Sequence, residues 1–91
     1  MSATALVLHR VSDYDTWRKA YDSADGVRQQ AGVSDAQVLR STNGDNLVAI
    51  THDFDSPEAA EAFFSNEELK GAMERGGVDI DSFQLHILQR D

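Results

Sequence analysis

The chain has 91 residues, enough for one domain with one core at the small end of what folds unaided, where a partner subunit would help. Sixteen acidic against eight basic side chains give a formal net charge of −8, which opposes a phosphate backbone and argues against nucleic acid as a partner. The lack of cysteine rules out disulfides, thiolate nucleophiles and sulfur-ligated metals and suits a reducing cytosol, and the early apolar run Ala5 to Leu8 is far short of the ~20 residues of a membrane span.

Residues 3 to 11 are rich in aliphatics and stop at Ser12-Asp13, which predicts a first strand followed by a helix N-cap at Asp13. From Tyr14 the apolar residues Trp17, Tyr21 and Ala24, with Ala20, Val27 and Ala31 beside them, form one helical stripe running to about Ala31. Gly32 ends it. Residues 35 to 42 read as a second strand, Asn43-Gly44-Asp45 as a turn, and Asn46 to Phe54 as the hairpin partner. Ser56-Pro57-Glu58 opens a second helix: a cap, a proline at the first helical position, and an acid where the helix dipole favours one. That helix carries Ala59, Ala60, Phe63 and Phe64, then meets Ser65-Asn66-Glu67-Glu68, a second cap followed by acids. This predicts a break and a further helical piece with Leu69, Ala72 and Met73 on its apolar side. After Gly76-Gly77 the last strand, Ser82 to Gln89, alternates Phe83, Leu85 and Ile87 against Gln84, His86 and Leu88.

The order β-α-β-β-α-β is that of an α+β, ferredoxin-like split βαβ fold, with an antiparallel 4-1-3-2 sheet and both helices on one face. The other face is left bare. Assigning Val7, Val48, Ile50, Phe54 and Leu88 to it makes it too apolar for water, and a second copy of the sheet is the expected cover.

The stretches LHRVSDYDTWRKAYD at residues 8 to 22 and SPEAAEAFFSNEELKGAMERGGV at residues 56 to 78 resemble the dimeric α+β barrel proteins grouped with antibiotic-biosynthesis monooxygenases and small polyketide cyclases. The similarity covers nearly the whole chain. It rests on scaffold grammar: a strand, a capped aromatic helix, and a helix broken at a serine. It implies a homodimer with two sheets face to face, pockets between sheet and helices, and a small aromatic or polyketide-like ligand. The superfamily includes cofactor-free oxygenases, cyclases, isomerases, haem-degrading enzymes and proteins without assigned chemistry. The haem-degrading branch places an asparagine on the first strand and a ligating histidine on the second helix. This sequence has neither, so the expectation is no cofactor.

His9, His52 and His86 fall on strands 1, 3 and 4, neighbours in the 4-1-3-2 order, and histidine is the usual acid or base near neutral pH. With Val7 opposite Ile50, all three are expected on the bare face, while Leu6, Leu8, Phe83, Leu85 and Ile87 pack on the helices. A one-residue slip would reverse a strand. His9 and His52 are then offset by four residues, roughly 14 Å, too far for one metal ion to bridge. His86, the central one, is the first candidate for a cavity acid or base, and filling the dimer face with a polar tip is the alternative for each histidine. Arg40 on the edge strand and Arg10 at the exit of the first strand can fix an oxyanion or enolate, or pair on the surface. Tyr14, Trp17, Phe54 and Phe64 can wall a pocket for a planar substrate or simply build the core, as can Phe63 and Met73. Asp53 follows His52 but points to the opposite sheet face if its strand stays regular.

Two functions follow. One is a cofactor-independent oxygenase or cyclase working by histidine-assisted proton transfer in an apolar cavity. The other is a non-enzymatic dimer that holds a hydrophobic metabolite.

Overall fold

The computed structural model describes residues 2–89. Eight elements follow one another: β1 (Ala3–Val11), α1 (Tyr14–Ser23), α2 (Asp25–Gln30), β2 (Asp35–Arg40), β3 (Leu47–Phe54), α3 (Pro57–Phe64), α4 (Glu67–Arg75) and β4 (Val78–Gln89). The sheet order is β2-β3-β1-β4, antiparallel throughout, which is the expected ferredoxin-like order.

The helix starts follow the sequence grammar. Asp13 accepts the backbone N–H of Thr16 at 2.9 Å, Ser56 that of Ala59 at 3.1 Å, and Asn66 that of Glu68 at 2.8 Å, each satisfying a donor that the first helical turn leaves unpaired. The helix expected to run from Tyr14 to Ala31 is instead two, parted at Ala24. Ser23 turns its hydroxyl back onto the Ala20 carbonyl at 2.8 Å, a bond that competes with helix continuation, and Gly26 follows close behind. β4 begins four residues earlier than expected, because Arg10 pairs with Asp79 and Val11 with Val78 beyond a bulge between Leu8 and Arg10.

The register matches the expectation and the faces do not. Val7 does pair with Ile50. Yet Val7, Val48, Ile50 and Phe54 lie under the helices, and His9 and His52 lie with them, whereas Leu6 and Leu8 are on the open face. Ala5 and Ala60 decide the matter: both are fully buried, and these two small residues let α3 settle closely onto β1. The larger leucines are left to the other side. β1 is apolar on both faces, so alternation alone could not tell which face was inside. β4 behaves as expected, with Phe83, Leu85 and Ile87 toward the helices and Gln84, His86 and Leu88 on the open face.

Two buried groups make up the core, one around Val7, Val11, Trp17, Val48, Ile50 and Val78, the other around Ala5, Phe54, Ala60 and Phe63. The open face still carries Leu6, Leu8, Leu47 and Ala49, all half-buried, with Leu39 and Leu88 exposed beside them. Among the described residues, no helix is long and apolar enough to cross a membrane.

Candidate functional site

Between the sheet and the helices, three polar residues are buried: His9 at 2% exposure, His52 at 4% and Arg28 at 7%. Polar groups this deep require a partner or a purpose.

α1 supplies the frame. Trp17 and Tyr21, four residues apart on one helical face, stack with centroids 5.0 Å apart, and Tyr14 flanks Trp17 at 5.8 Å. His9, from β1, meets the edge of Trp17 at 5.7 Å and stacks on Phe83 at 6.2 Å. His52, from β3, stacks on Tyr21 at 6.1 Å and is walled by Phe54, Phe63 and Phe64 at 6.4, 5.5 and 6.1 Å. The result is a row, His9–Trp17–Tyr21–His52, closed at one end by phenylalanines.

One hydrogen bond joins the row to chemistry. The Tyr21 hydroxyl and His52 Nε2 lie 3.1 Å apart, and either group can be the donor. Burial pushes the imidazole of His52 down to about 4, with the Arg28 charge adding to the fall and Asp53 opposing it. Burial lowers His9 too, and it raises the phenol of Tyr21 against the pull of Arg28 and Arg18. Both members of the pair are therefore neutral at physiological pH. Among the described residues, the Nδ1 atoms of His9 and His52 are buried without a hydrogen-bond partner.

Of the residues singled out from sequence, His9, His52, Trp17, Phe54 and Phe64 come together here, and His86 does not: it stands on the other side of the sheet, paired with Leu6. Arg40 and Tyr14 meet at the rim, the guanidinium 3.7 Å above the ring. Arg10 is exposed, 3.9 Å from Asp45. β3 stays regular, so Asp53 points away from His52 and accepts a hydrogen bond from the Thr4 hydroxyl at 2.7 Å. His9 pairs with Val48 and His52 with Ala5, which preserves the four-residue offset along the strands. No cluster of three or more histidines, aspartates or glutamates able to hold a metal ion occurs among the described residues. Two further residues, Tyr21 and Arg28, join the group. In the sequence Tyr21 reads as packing alone, and the one signal for Arg28 is that it continues the stripe Trp17, Tyr21, Ala24 by one further turn, where a charged residue is out of place.

Space near the row is limited. A cavity of about 30 Å³ lies among Trp17, Tyr21, Ala24, Arg28, Leu69, Ala72 and Met73. A larger, open groove of about 430 Å³ runs between α2 and α3 over Val27, Ala31, Ala59, Ala62 and Phe63. Phe63 is shared, forming part of the groove and packing edge-on against His52.

The fold is widely represented among solved structures. SnoaB, a cofactor-independent oxygenase from Streptomyces nogalater, superposes with a TM-score of 0.81 at 9% identity, covering 99% of this chain and 93% of that one. A candidate antibiotic biosynthesis monooxygenase from Bordetella bronchiseptica gives 0.82 at 11%, covering 99% and 97%. A dimeric ferredoxin-like protein of unknown function from Jannaschia sp. CCS1 gives 0.76 at 13%, covering 99% and 100%. At such identities the likeness is one of fold. No curated protein matches the chain. The family model for antibiotic biosynthesis monooxygenases matches residues 12–75, from the cap of α1 to the last turn of α4, and the chain belongs to that family.

Proposed function

We propose that this protein is a cofactor-independent oxygenase or cyclase of small aromatic or polyketide-like substrates, with His52 as the base and Tyr21 as its orienting partner. The observation that carries the reading is the 3.1 Å contact between Tyr21 and a buried, neutral His52 whose Nδ1 has no other partner among the described residues. With Nε2–H donating to the phenol oxygen, Nδ1 keeps its lone pair for a substrate proton, and the phenol oxygen steadies the imidazolium that results. The groove between α2 and α3 is the mouth, and Phe63 is the side chain that a planar ligand displaces to reach His52.

An imidazole near 4 is a weak base, so it suits only substrates that are themselves acidic, such as a phenol or a methylene conjugated with aryl ketones. In the oxygenase form, His52 removes a proton from the methylene and the carbanion passes an electron to dioxygen. The two radicals join as a peroxide, which takes the proton back. Loss of the second methylene hydrogen with the outer oxygen leaves a ketone and one water. In the cyclase form, the same deprotonation gives an enolate that closes a ring.

The 91 residues act as one domain, paired with a second copy through the open face, where Leu6, Leu8, Leu47, Ala49 and Leu88 gather. The Jannaschia protein of the same fold, described as dimeric, supports that assembly. A chain free of cysteine fits a cytosolic setting.

Oxygen uptake and product formation with a panel of quinols and hydroxylated aromatic ketones test the reading. Conversion is expected, falling roughly 100-fold in kcat for His52→Gln and unchanged for His86→Gln. Full turnover by His52→Gln would remove His52 from the mechanism, and saturable binding by the natural chain without conversion would leave a carrier.

A further inference from the structure

Arg28 is the buried charge that the proposed chemistry leaves unused. Its side chain is spent almost wholly on one residue. The guanidinium carbon lies 3.8 Å from the centre of the Tyr21 ring, and Nη1 donates to the Tyr21 carbonyl at 2.7 Å. Its carboxylate neighbour, Asp25, stands 3.6 Å away and is itself largely in water. Tyr21 is thus gripped at ring and backbone by a single planar cation, across the break between α1 and α2.

That break makes the grip consequential. α1 ends at Ser23 and α2 begins at Asp25, so the regular helix ceases just beyond Tyr21. A ring near a helix end that meets its hydrogen-bond partner at one atom needs a second restraint to stay in place. Trp17 restrains one side by stacking, the Arg18 guanidinium stands farther off at 5.5 Å from the ring centre, and Arg28 both lies on the ring and bonds the Tyr21 carbonyl.

We propose that Arg28 is a positioning residue for the Tyr21–His52 pair, acting through Tyr21 and not on the substrate. The inference rests on the functional reading above only for its effect on turnover. Its physical content, that Arg28 fixes the contact between Tyr21 Oη and His52 Nε2, stands apart from any reaction. Arginine suits the task because its fork can bond a carbonyl while its plane lies on a ring, and lysine can do only one of these at a time. The charged groups bearing on the pair are Arg18, Asp22 and Asp25 around Tyr21, and Arg28 and Asp53 around His52.

The test compares the natural protein with Arg28→Lys, Arg28→Gln and Tyr21→Phe. Imidazole nitrogen resonances of His52 report its hydrogen bond and titration without need of a substrate. Arg28→Lys, which keeps the charge, is expected to weaken the Nε2 hydrogen-bond signature while the titration stays near its natural position. Arg28→Gln is expected to weaken the same signature and to move the titration upward. With a converted substrate, Arg28→Lys lowers kcat roughly tenfold to a hundredfold with KM within about twofold, and the same change in the Tyr21→Phe background costs nothing further. Should Arg28→Gln fail to fold, Arg28→Lys and the Tyr21→Phe cycle still decide. An unaltered His52 signature in folded Arg28→Lys, or a full additional loss on top of Tyr21→Phe, overturns the inference. A changed signature in a protein that converts no substrate supports it while sinking the oxygenase or cyclase reading.

Discussion

An imidazole held among phenyl rings and a phenol has a stability cost that depends on pH, and His52 sets its size. Its folded value near 4 lies below the ordinary 6.5 of an unfolded chain. Between those values the unfolded chain binds the extra proton, so stability is complete above about pH 6.5 and declines as pH falls toward 4. The full difference corresponds to roughly 3 kcal/mol. His9, lowered by burial as well, pulls in the same direction. Urea midpoints at pH 7.5 and 5.5 should differ clearly for the natural protein and much less for His52→Phe. An equal slope in both would place the acid sensitivity elsewhere. The sequence alone could not reveal this environment: His9 and His52 were placed on the right strands with the right offset, but their face depended on Ala5 and Ala60, whose smallness reads as neutral in any hydrophobicity pattern.

Among the elements, the junction of α4 and β4 is closely packed against the end of β1. Gly77 adopts φ +73°, and a Cβ added there would lie 2.4 Å from the Ser12 hydroxyl oxygen, while Ser12 N–H donates to the Gly77 carbonyl at 3.0 Å. Both the left-handed backbone and the close approach demand glycine. Gly77→Ala should therefore destabilise by about 1–3 kcal/mol, and adding Ser12→Ala should recover only the share due to the clash, as measured by chemical denaturation. Helix starts were legible because caps and dipoles act over three or four residues, as Asp13, Ser56 and Asn66 demonstrate. The division at Ala24 was not. It depends on a serine hydroxyl choosing a carbonyl one turn back, and the early start of β4 depends on pairing with Arg10 and Val11, more than sixty residues away in the chain. Arg28 is hard to read for a related reason: a charge at the next position of the stripe Trp17, Tyr21, Ala24 signals burial but does not name Tyr21 as the group it meets.

For the molecule as a whole, the open face is the surface to interrogate. Leu6 occupies it on a central strand, opposite Thr51 and His86, with its side chain directed away from the helices. On the proposed pairing through this face, Leu6→Glu should leave the helix-side core intact and convert a sedimenting dimer to a monomer, because the contact would then have to strip water from a carboxylate on both copies. A dimer that persisted would move the contact to another face. Fold order was readable from the succession of elements, since a split βαβ chain has few sensible ways to lay down four strands.

The two inner strands of the sheet are β3 and β1, and β1 is flanked on its second side by β4, with Ala3 opposite Gln89. The earliest strand to be synthesised must therefore wait for the latest before it gains a second neighbour. During translation β1 emerges with nothing to pair with, and even after β3 arrives one of its edges stays open to stray association until the twelve residues of β4 leave the ribosome. The sheet is completed only by its last strand, so a nascent chain halted before β4 carries a ready docking edge and no finished interior.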